Sequence, residues 1–248
     1  MIDLHLHVLP GVDDGPDTLD ESAEMCRLAA ADGCTALIAT PHLRHCRWPE
    51  QDPVHLREVL ERLRNDVGSS LEIRLGGELR IDSSLLEDFE PPRASTCIPL
   101  ADSNYLLLEF SRAGVGPGAE ALIHEIQLLG WRPILAHPEF IPMLANDSAL
   151  MERLVGMGAL FQVTAMSLTG EFGRMVRRAT IGFIDASLVH FVASDAHGRS
   201  GRTPGLSRAR REISRRWGDQ SAKELTEDNP LAVLENREIG VPAPTLTR

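Results

Sequence analysis

The sequence predicts an α/β protein whose parallel strands close, or nearly close, into a barrel. Two observations lead to this prediction: short apolar runs alternate with helical patterns along the chain, and no low-complexity linker divides it. This alternation favours parallel βαβ units, and seven such units within 248 residues suit one barrel better than two domains. We therefore predict a single domain over residues 1–240 and a loosely ordered tail over residues 241–248.

Three strands and two helices are predicted in the first part of the chain. The strands are the apolar runs at residues 2–8, 35–40 and 71–76. Asp17 is a candidate N-cap for the first helix, and Gly33 is a candidate stop signal after it. Asp52 and Pro53 have the N-cap and first-turn character expected where the second helix begins.

Four further strands and a series of helices are predicted in the second part. The strands are the apolar runs at residues 105–110, 132–137, 159–165 and 190–194. Helical patterns lie between them and close the chain, as in "AEALIHEIQLLG", "SALMERLVGMG", "TGEFGRMVRRAT" and "LSRARREISRRW". The Pro-rich stretch at residues 90–99 is predicted to be a long loop before the fourth strand.

The composition excludes several classes of function. A formal net charge of −11 argues against broad binding of nucleic acid or anionic membranes, which requires a basic surface. The four cysteines form no CxxC pair, which suits a reducing compartment. We find no signal-peptide pattern and no apolar run that reaches the roughly 18 residues of a membrane span. We expect a cytoplasmic protein with no nucleic-acid partner and no membrane insertion.

Side chains that bind divalent metals are concentrated at the ends of the predicted strands. The carboxyl ends of parallel strands meet on one face of a barrel, where active sites are built. His5 and His7 share one side of the first strand, because a strand repeats every two residues. The nine candidate metal ligands are His5, His7, Asp14, His42, Glu78, Glu109, His137, Asp195 and His197. One catalytic zinc needs about three protein ligands, so this set suits two or three ions, an arrangement typical of phosphoester hydrolysis.

The remaining histidines do not follow this pattern. His55 and His124 fall within predicted helices, and His190 lies at the start of its strand, opposite the candidate site. We predict structural positions for these three residues. His45 follows His42 closely, and whether it lines the pocket is left open.

Several motifs give the chain a family resemblance. They span residues 3 to about 204 and include "DLHLHVLPGVDDGP", "ATPH", "GGELRI", "LLLEF", "HEIQLLGWRPILAHPE", "QVTAMSLTGEFG" and "SDAHGRSGRTP". The chain resembles the PHP (polymerase and histidinol phosphatase) superfamily, and more closely the bacterial manganese-dependent tyrosine phosphatases linked to capsule and exopolysaccharide synthesis. The resemblance implies a distorted (β/α)7 TIM-like barrel, the PHP fold, over the single domain. It also implies three divalent metal ions at the carboxyl-terminal face, Mn²⁺ first, with Fe or Zn as alternatives.

The resemblance further implies how the ligands are divided and what the substrate is. One ion would be held by His5, His7, Glu78 and Asp195. Glu78 would bridge the first ion to a second one, which His42, Glu109 and His137 would also bind. Asp14 and His197 would hold the third. The implied substrate is the phosphotyrosine-bearing tail of a bacterial tyrosine kinase that controls polysaccharide export.

One position departs from the family pattern. Phe140 follows "HPE" where the family has an arginine expected to contact phosphate, whereas a second family arginine is retained as Arg202. Loss of a guanidinium removes a bidentate phosphate contact. Arg44 and Arg80, each near a strand end, are candidate substitutes for this contact, and Phe140 is a candidate to pack against a phenol ring.

The expected reaction is the hydrolysis of a phosphomonoester. Divalent ions lower the pKa of bound water, and the resulting hydroxide attacks phosphorus in line, while Arg202 neutralises phosphate charge. We assign Arg202, Asp14 and His42 to the catalytic group. The alternatives that stay open are a small-molecule phosphatase such as a histidinol phosphatase, a PHP nuclease and a non-catalytic metal-binding protein. The oligomeric state is open as well.

Overall fold

Nine strands, all paired in parallel, occur in the residues that the computed structural model describes, namely 1–48, 51–82, 84–89, 97–111, 114–116 and 118–240. The strands are β1 (Ile2–Leu6), β2 (Ala36–Ala39), β3 (His42–Leu43), β4 (Glu72–Leu75), β5 (Glu78–Arg80), β6 (Tyr105–Glu109), β7 (Arg132–Ala136), β8 (Leu160–Thr164) and β9 (Phe191–Ala193). All seven predicted strands are present. The predicted tail at 241–248 and residues 90–96 of the predicted loop lie outside the described residues.

Two of the predicted strands are followed by a short break and a second strand. Thr40 and Pro41 separate β2 from β3, and Gly76 and Gly77 separate β4 from β5. A Cβ atom at Gly77 would overlap the side chain of Leu43, so glycine allows this side chain to pack directly against the backbone. Directly after this glycine, Glu78 is the register partner of His42 across the β3–β5 pair.

Helices connect the strands, as the alternating pattern predicts. They are α1 (Leu19–Ala31), α2 (Pro53–Val67), α3 (Ala119–Leu128), α4 (Pro142–Asn146), α5 (Ala149–Gly156), α6 (Ala165–Thr169), α7 (Arg174–Asp185), α8 (Ser207–Lys223) and α9 (Asn229–Leu234). None of the helices in the described ranges combines the length and the apolar character needed to cross a bilayer.

The caps of the first two helices differ in how well the sequence predicts them. Asp52 caps α2 as predicted, and its Oδ1 accepts a hydrogen bond from the amide of Val54 at 2.9 Å. The predicted cap of α1 is wrong: Thr18, not Asp17, occupies the N-cap, and its Oγ1 accepts from the amide of Glu21 at 3.3 Å. The Glu21 carboxylate accepts in turn from the Asp17 amide at 3.3 Å. The "TLDE" segment therefore resembles a capping box, in which two side chains each accept a hydrogen bond from a backbone amide at the start of the helix. A cap formed by Asp17 alone would supply only one of these acceptors.

The strands form two sheets, with the orders β1-β2-β4 and β3-β5-β6-β7-β8-β9. The parallel α/β class is confirmed, and the strand order itself gives two sheets rather than one continuous ring. Further backbone hydrogen bonds link the end of β1 to the segment after β9. The His7 amide donates to the Ala196 carbonyl at 2.8 Å, and the Asp195 amide donates to the His5 carbonyl at 2.8 Å. The ends of the first and last strands therefore lie side by side.

Apolar side chains support the polar residues at the strand ends. A cluster of buried side chains draws on six strands and on α9; it includes Leu4, Ile38, Leu107, Ile134, Leu160, Phe191 and Val233. Residues two apart on a strand share a face. Glu109 and Gln162 therefore follow the apolar Leu107 and Leu160 on the same face. The candidate site lies over this apolar layer, at the carboxyl ends of the strands.

His190 has a structural position, as predicted. Its side chain is buried, and Nδ1 accepts a hydrogen bond from the Phe161 amide at 3.1 Å. Burial lowers the pKa of His190 from 6.5 to about 4, because the charged imidazolium would lose its hydration. The neutral ring is therefore the form that the fold requires.

We expect His190 to make the fold sensitive to acid. Between pH 6.5 and about 4 the unfolded chain binds a proton that the folded chain excludes. The stabilisation is complete above the ordinary pKa and is lost as the pH falls toward the folded-state pKa, by roughly 3 kcal/mol in total. Denaturant unfolding of the protein and of a His190→Gln variant at a series of pH values measures this change in the free energy of unfolding. The free-energy difference between them is expected to shrink as the pH falls through this window, and a constant difference would contradict the assignment.

Candidate metal centre

All nine predicted metal ligands meet at one place in the structure. They form four overlapping groups, within each of which one ligand atom per residue lies within 4.8 Å of the others. The groups are His7, Asp14, His42 and His197; His5, Glu78 and His137; His5, His7 and Asp195; and His42, Glu78 and Glu109. Because His5, His7, His42 and Glu78 each belong to two groups, the nine residues form one continuous centre.

Glu78 lies at the middle of this centre and is buried. Its Oε1 lies 2.8 Å from Nε2 of His137, and its Oε2 lies 2.9 Å from Nδ1 of His42. The Nε2 atoms of His5 and His7 lie 3.5 and 3.4 Å from the same carboxylate. Burial by itself raises the pKa of Glu78, but the charges of His5 and His42 hold it well below its usual value. A carboxylate whose ionised form is favoured at this position can bridge cations on either side.

The two histidines of β1 are oriented in the manner of metal ligands. His5 Nδ1 lies 2.9 Å from Oε1 of Gln162, and His7 Nδ1 lies 2.7 Å from Oδ2 of Asp13. The Nε2 atoms of both rings are buried, and neither has a hydrogen-bond partner among the described residues. Metal-binding imidazoles characteristically donate one N–H to a carboxylate or carbonyl, which directs the other nitrogen at the metal. The donor set therefore fits divalent cations.

Asp13 is a residue of the site that the sequence reasoning missed. Besides His7, its carboxylate accepts hydrogen bonds from the amides of His42 and Gly15, both at 3.0 Å. A Cβ at Gly15 would lie 2.7 Å from the His7 carbonyl oxygen, so this turn lies directly against β1. The adjacent aspartates in "VDDG" were the available signal, and only Asp14 was assigned. The first aspartate orients two ligands, and the second faces the centre.

We expect removal of the Asp13 side chain to weaken the centre without removing a ligand. An Asp13→Ala variant is expected to lose about 10-fold to 100-fold in metal affinity, because nothing then fixes the His7 ring. Asp13→Asn, whose amide oxygen still accepts from His7, is expected to lose less. Calorimetric titration of each apoprotein with Mn²⁺ gives the metal affinities of the native protein and of the two variants. Equal affinities for all three proteins would show that Asp13 plays no part in holding the ring.

Asp14 and His42 form the more open side of the centre. The Asp14 side chain is 44 % exposed, and its Oδ1 lies 3.4 Å from Nε2 of His42 and 3.3 Å from Nε2 of His197. Partial burial opposes ionisation of Asp14, but hydrogen bonds from His197 and His42 hold its pKa below the usual value. Burial lowers the pKa of His42, yet the charge of Glu78 and the hydrogen bond with Asp14 raise it to about 11. The carboxylates thus create a field that stabilises positive charge.

Strained backbone turns two of the candidate ligands into the centre. His137 and Asp195 follow β7 and β9 and have left-handed conformations, with φ of +36° and +51°. A non-glycine residue held in this region costs about 1–3 kcal/mol and persists where the surroundings fix it. The turn brings Asp195 Oδ1 to 3.5 Å from Nε2 of His5.

The four predicted substrate-binding residues differ in their surroundings. Arg202 forms an ion pair with Asp195 and donates to Nε2 of His197 at 3.3 Å. Arg80 donates to Oε1 of Glu109 at 3.1 Å and is 29 % exposed. Both guanidiniums therefore lie beside candidate ligands at the rim.

Arg44 and Phe140 complete the predicted set. The Arg44 guanidinium is held between Asp88 and Asp82, the latter at 2.6 Å, so two carboxylates already occupy it. The Phe140 ring lies 5.8 Å from the His137 ring and packs edge-to-face against Phe172, with centroids 5.0 Å apart. Phe140 and Phe172 thus form an aromatic pair beside the centre.

The remaining predicted histidine positions are resolved by the structure. The His45 ring lies 4.8 Å from the His42 ring, and Trp48 stacks nearly parallel to His42 at 5.5 Å. His45 therefore lies beside the centre. His55 and His124 are exposed on α2 and α3, away from it.

A parallel α/β fold with histidines and carboxylates gathered at its strand ends is typical of metal-dependent hydrolases. Residues 1–235 match the model of the CpsB/CapC family, described as capsular polysaccharide synthesis. The chain belongs to the CpsB/CapC family, which confirms the family resemblance predicted from the motifs.

Relatives of this chain are metal-dependent tyrosine phosphatases. Tyrosine-protein phosphatase YwqE of Bacillus subtilis is 34% identical over 242 residues, covering 96% of this chain and 93% of YwqE. Tyrosine-protein phosphatase CpsB of Streptococcus pneumoniae is 30% identical over 241 residues, covering 94% and 98% of the two chains. A solved structure from a study of YwqE and CpsB, described as unique metal-dependent tyrosine phosphatases, matches with a TM-score of 0.92 at 32% identity and covers 100% of both chains.

Proposed function

We propose that this chain is a metal-dependent protein-tyrosine phosphatase that acts in the regulation of capsule or exopolysaccharide synthesis. The observation that carries the proposal is the continuous centre of nine ligand-type side chains around Glu78, with the Arg202 guanidinium beside it. The proposed substrate is a phosphotyrosine-bearing tail of a bacterial tyrosine kinase. Membership of the CpsB/CapC family and the activity named for its relatives support this choice.

The centre is proposed to hold three divalent cations, with Mn²⁺ as the first choice. Four overlapping ligand groups support more than one ion, and the mixture of imidazole and carboxylate ligands suits Mn²⁺, with Fe or Zn as alternatives. Such cations lower the pKa of bound water and neutralise phosphate charge. Asp13 and Gln162 would keep the Nε2 atoms of His7 and His5 directed at them.

Arg202 is proposed to bind the phosphate oxygens, and Arg80 to assist it. Both are partly exposed next to candidate ligands, at 28 % and 29 %. Their planar guanidiniums can donate two parallel hydrogen bonds to a phosphate. The Phe140 ring is proposed to pack against the phenol of the substrate, since it lies beside His137.

Asp14 and His42 are proposed to act at the open side of the centre, where they would hold and move protons. The Asp14 carboxylate lies 3.4 Å from Nε2 of His42, so a proton can be shared between them. The departing phenol has a pKa of about 10, so it needs less protonation than an alkoxide.

A closed seven-stranded barrel is proposed for residues 1–240, acting as one domain in the cytoplasm. Backbone hydrogen bonds across the two breaks support it, from Gly76 to Ala39 at 2.8 Å and from Glu78 to Pro41 at 3.0 Å. The bond from His7 to Ala196 supports closure between the first and last strands. The four cysteines are all free, which fits a reducing compartment.

Chelation tests the proposed function directly. We expect the purified protein to hydrolyse p-nitrophenyl phosphate and a phosphotyrosine peptide, to lose this activity with its bound metal on chelation, and to regain it with Mn²⁺. A His5→Ala variant is expected to lose activity, whereas His55→Ala, at an exposed position on α2, is expected to keep it. Full activity without metal would reject the proposal. Faster hydrolysis of phosphoserine peptide or of histidinol phosphate would reject the tyrosine assignment.

A further inference from the structure

A groove lies beside the metal centre, between α4 with the turn before it and α7. Its volume is about 720 Å³, and its lining combines apolar side chains with polar and charged ones. The lining residues that matter here are Phe140, Leu144, Met175, Arg178, Ala179 and Gly182. None of the nine candidate metal ligands lines it.

The groove is continuous with the proposed substrate site. Phe140 lines the groove, and its ring also lies 5.8 Å from the ring of His137, a candidate ligand. Phe172 packs against the edge of the Phe140 ring and so holds it between the two spaces. A chain whose phenol ring packs on Phe140 would therefore have the groove next to it.

The edges of the groove are apolar and positively charged. Met175 of α7 lines the groove and is 74 % exposed, which is unusual for a large apolar side chain. Arg174 and Arg178, one turn apart on α7, are exposed and form no ion pair within the described ranges. Arg177, on the same helix, is paired with Glu212 at 2.8 Å.

Charge complementarity points to the kind of partner. The whole chain carries a formal net charge of −11, so its general field repels an acidic peptide. Beside Met175, Arg174 and Arg178 add positive charge that no acidic side chain of the described residues pairs with. A peptide segment with both acidic and apolar side chains could form ion pairs with these arginines and pack its apolar side chains in the groove.

We propose that this groove binds the segment flanking the phosphotyrosine of a protein substrate, through apolar side chains on the groove floor and acidic side chains at Arg174 and Arg178. The inference rests on the proposed phosphatase function. Binding of the flanking segment would make the enzyme selective for phosphotyrosines within a particular peptide sequence. A free aryl phosphate, which has no flanking segment, would bind only at the metal centre.

Gly182 offers a substitution that fills the groove without straining the fold. It is exposed on α7, and a Cβ atom there would meet no heavy atom within 4 Å. Gly182→Trp is therefore expected to fold normally and to occupy the groove. Gly156, at the end of α5, has the same open surroundings and does not line the groove, so Gly156→Trp is the matched control.

The test compares kcat/KM for three probes on the metal-loaded enzyme. The probes are p-nitrophenyl phosphate, a phosphotyrosine peptide with leucine and glutamate flanks, and one with glycine and serine flanks. We expect the native enzyme to prefer the leucine and glutamate peptide about tenfold over the other. Gly182→Trp is expected to remove that preference, and Arg178→Glu to reduce it. Both variants are expected to hydrolyse p-nitrophenyl phosphate normally, and Gly156→Trp to behave as the native enzyme on all probes.

Other outcomes would overturn the inference. Equal rates on both peptides, or a Gly182→Trp variant that keeps the preference, would show that the flanks do not bind in the groove. A change in oligomeric state of Gly182→Trp on size-exclusion chromatography, without a change in the preference, would assign the groove to a second copy of the chain. Failure of the proposed function is distinguishable, because the native enzyme would then hydrolyse neither phosphotyrosine peptide, whether or not it acts on p-nitrophenyl phosphate.

Discussion

A Glu78→Gln variant is expected to lose roughly a thousandfold in kcat, because several kcal/mol of transition-state stabilisation come from the cations that this carboxylate would join. Glu78 is within 3.5 Å of His5, His7, His42 and His137, so its charge holds the whole centre together. The amide has nearly the same shape but no charge, and it binds divalent cations weakly. Metal content by mass spectrometry is expected to fall together with activity.

Glu109→Gln provides a graded comparison for this result. Glu109 belongs to only one of the four ligand groups, and its carboxylate already accepts a hydrogen bond from Arg80. Its loss is therefore expected to reduce activity and metal content less than the loss of Glu78. Circular dichroism establishes that both variants fold. A Glu78→Gln variant with native metal content and native kcat would refute the central position assigned to Glu78.

Replacing Arg202 with alanine is expected to lower kcat by a factor of about 10²–10³. This is the typical effect of removing one preorganised hydrogen-bond donor that stabilises the charge developing in the transition state. Arg202→Lys is expected to recover only part of the loss, because an ammonium cannot donate two parallel hydrogen bonds in the manner of a guanidinium. Steady-state kinetics with the phosphotyrosine peptide measure both effects. Arg199→Ala serves as the control, since Arg199 lies on the same loop, is 56 % exposed and pairs with Glu24.

Metal analysis separates two explanations for an Arg202 effect. The guanidinium also pairs with Asp195, a candidate ligand, so it could act by holding that carboxylate in place. Retained metal content with lowered kcat would agree with phosphate binding. Loss of metal in Arg202→Ala would instead make Arg202 a positioning residue for Asp195.

The metal centre was predictable because polar residues interrupt apolar strands in a way that packing alone does not require. His5 and His7 on a buried first strand, and Glu78 after a pair of glycines, stand out in the sequence for this reason. The parallel alternation then indicates that all strand ends share one face. Both steps need only local patterns, and they are enough to predict that the nine side chains come together, as they do in the structure.

The residues behind the ligands were not assigned from sequence, because hydrogen bonds between distant segments leave no local pattern. Gln162 is 157 residues from His5, and its role depends on the register of β8 against its neighbours. Asp13 competes with Asp14 within one turn, and only the backbone path decides which one faces the centre. The pairing of Arg44 with Asp82 and Asp88 likewise depends on how separate loops fold together.

The separation in sequence between contacting residues determines when the centre can form. The Ser194 amide donates to Asp3 across 191 residues, and the ring of His5 contacts Gln162 across 157. Contacts of such long range form late in folding, after the cost of closing the chain has been met. The complete centre therefore assembles only once the first and last strands have come together. Ions that bind the finished centre join the first strand to the last, so we expect them to slow unfolding and to leave the folding rate unchanged.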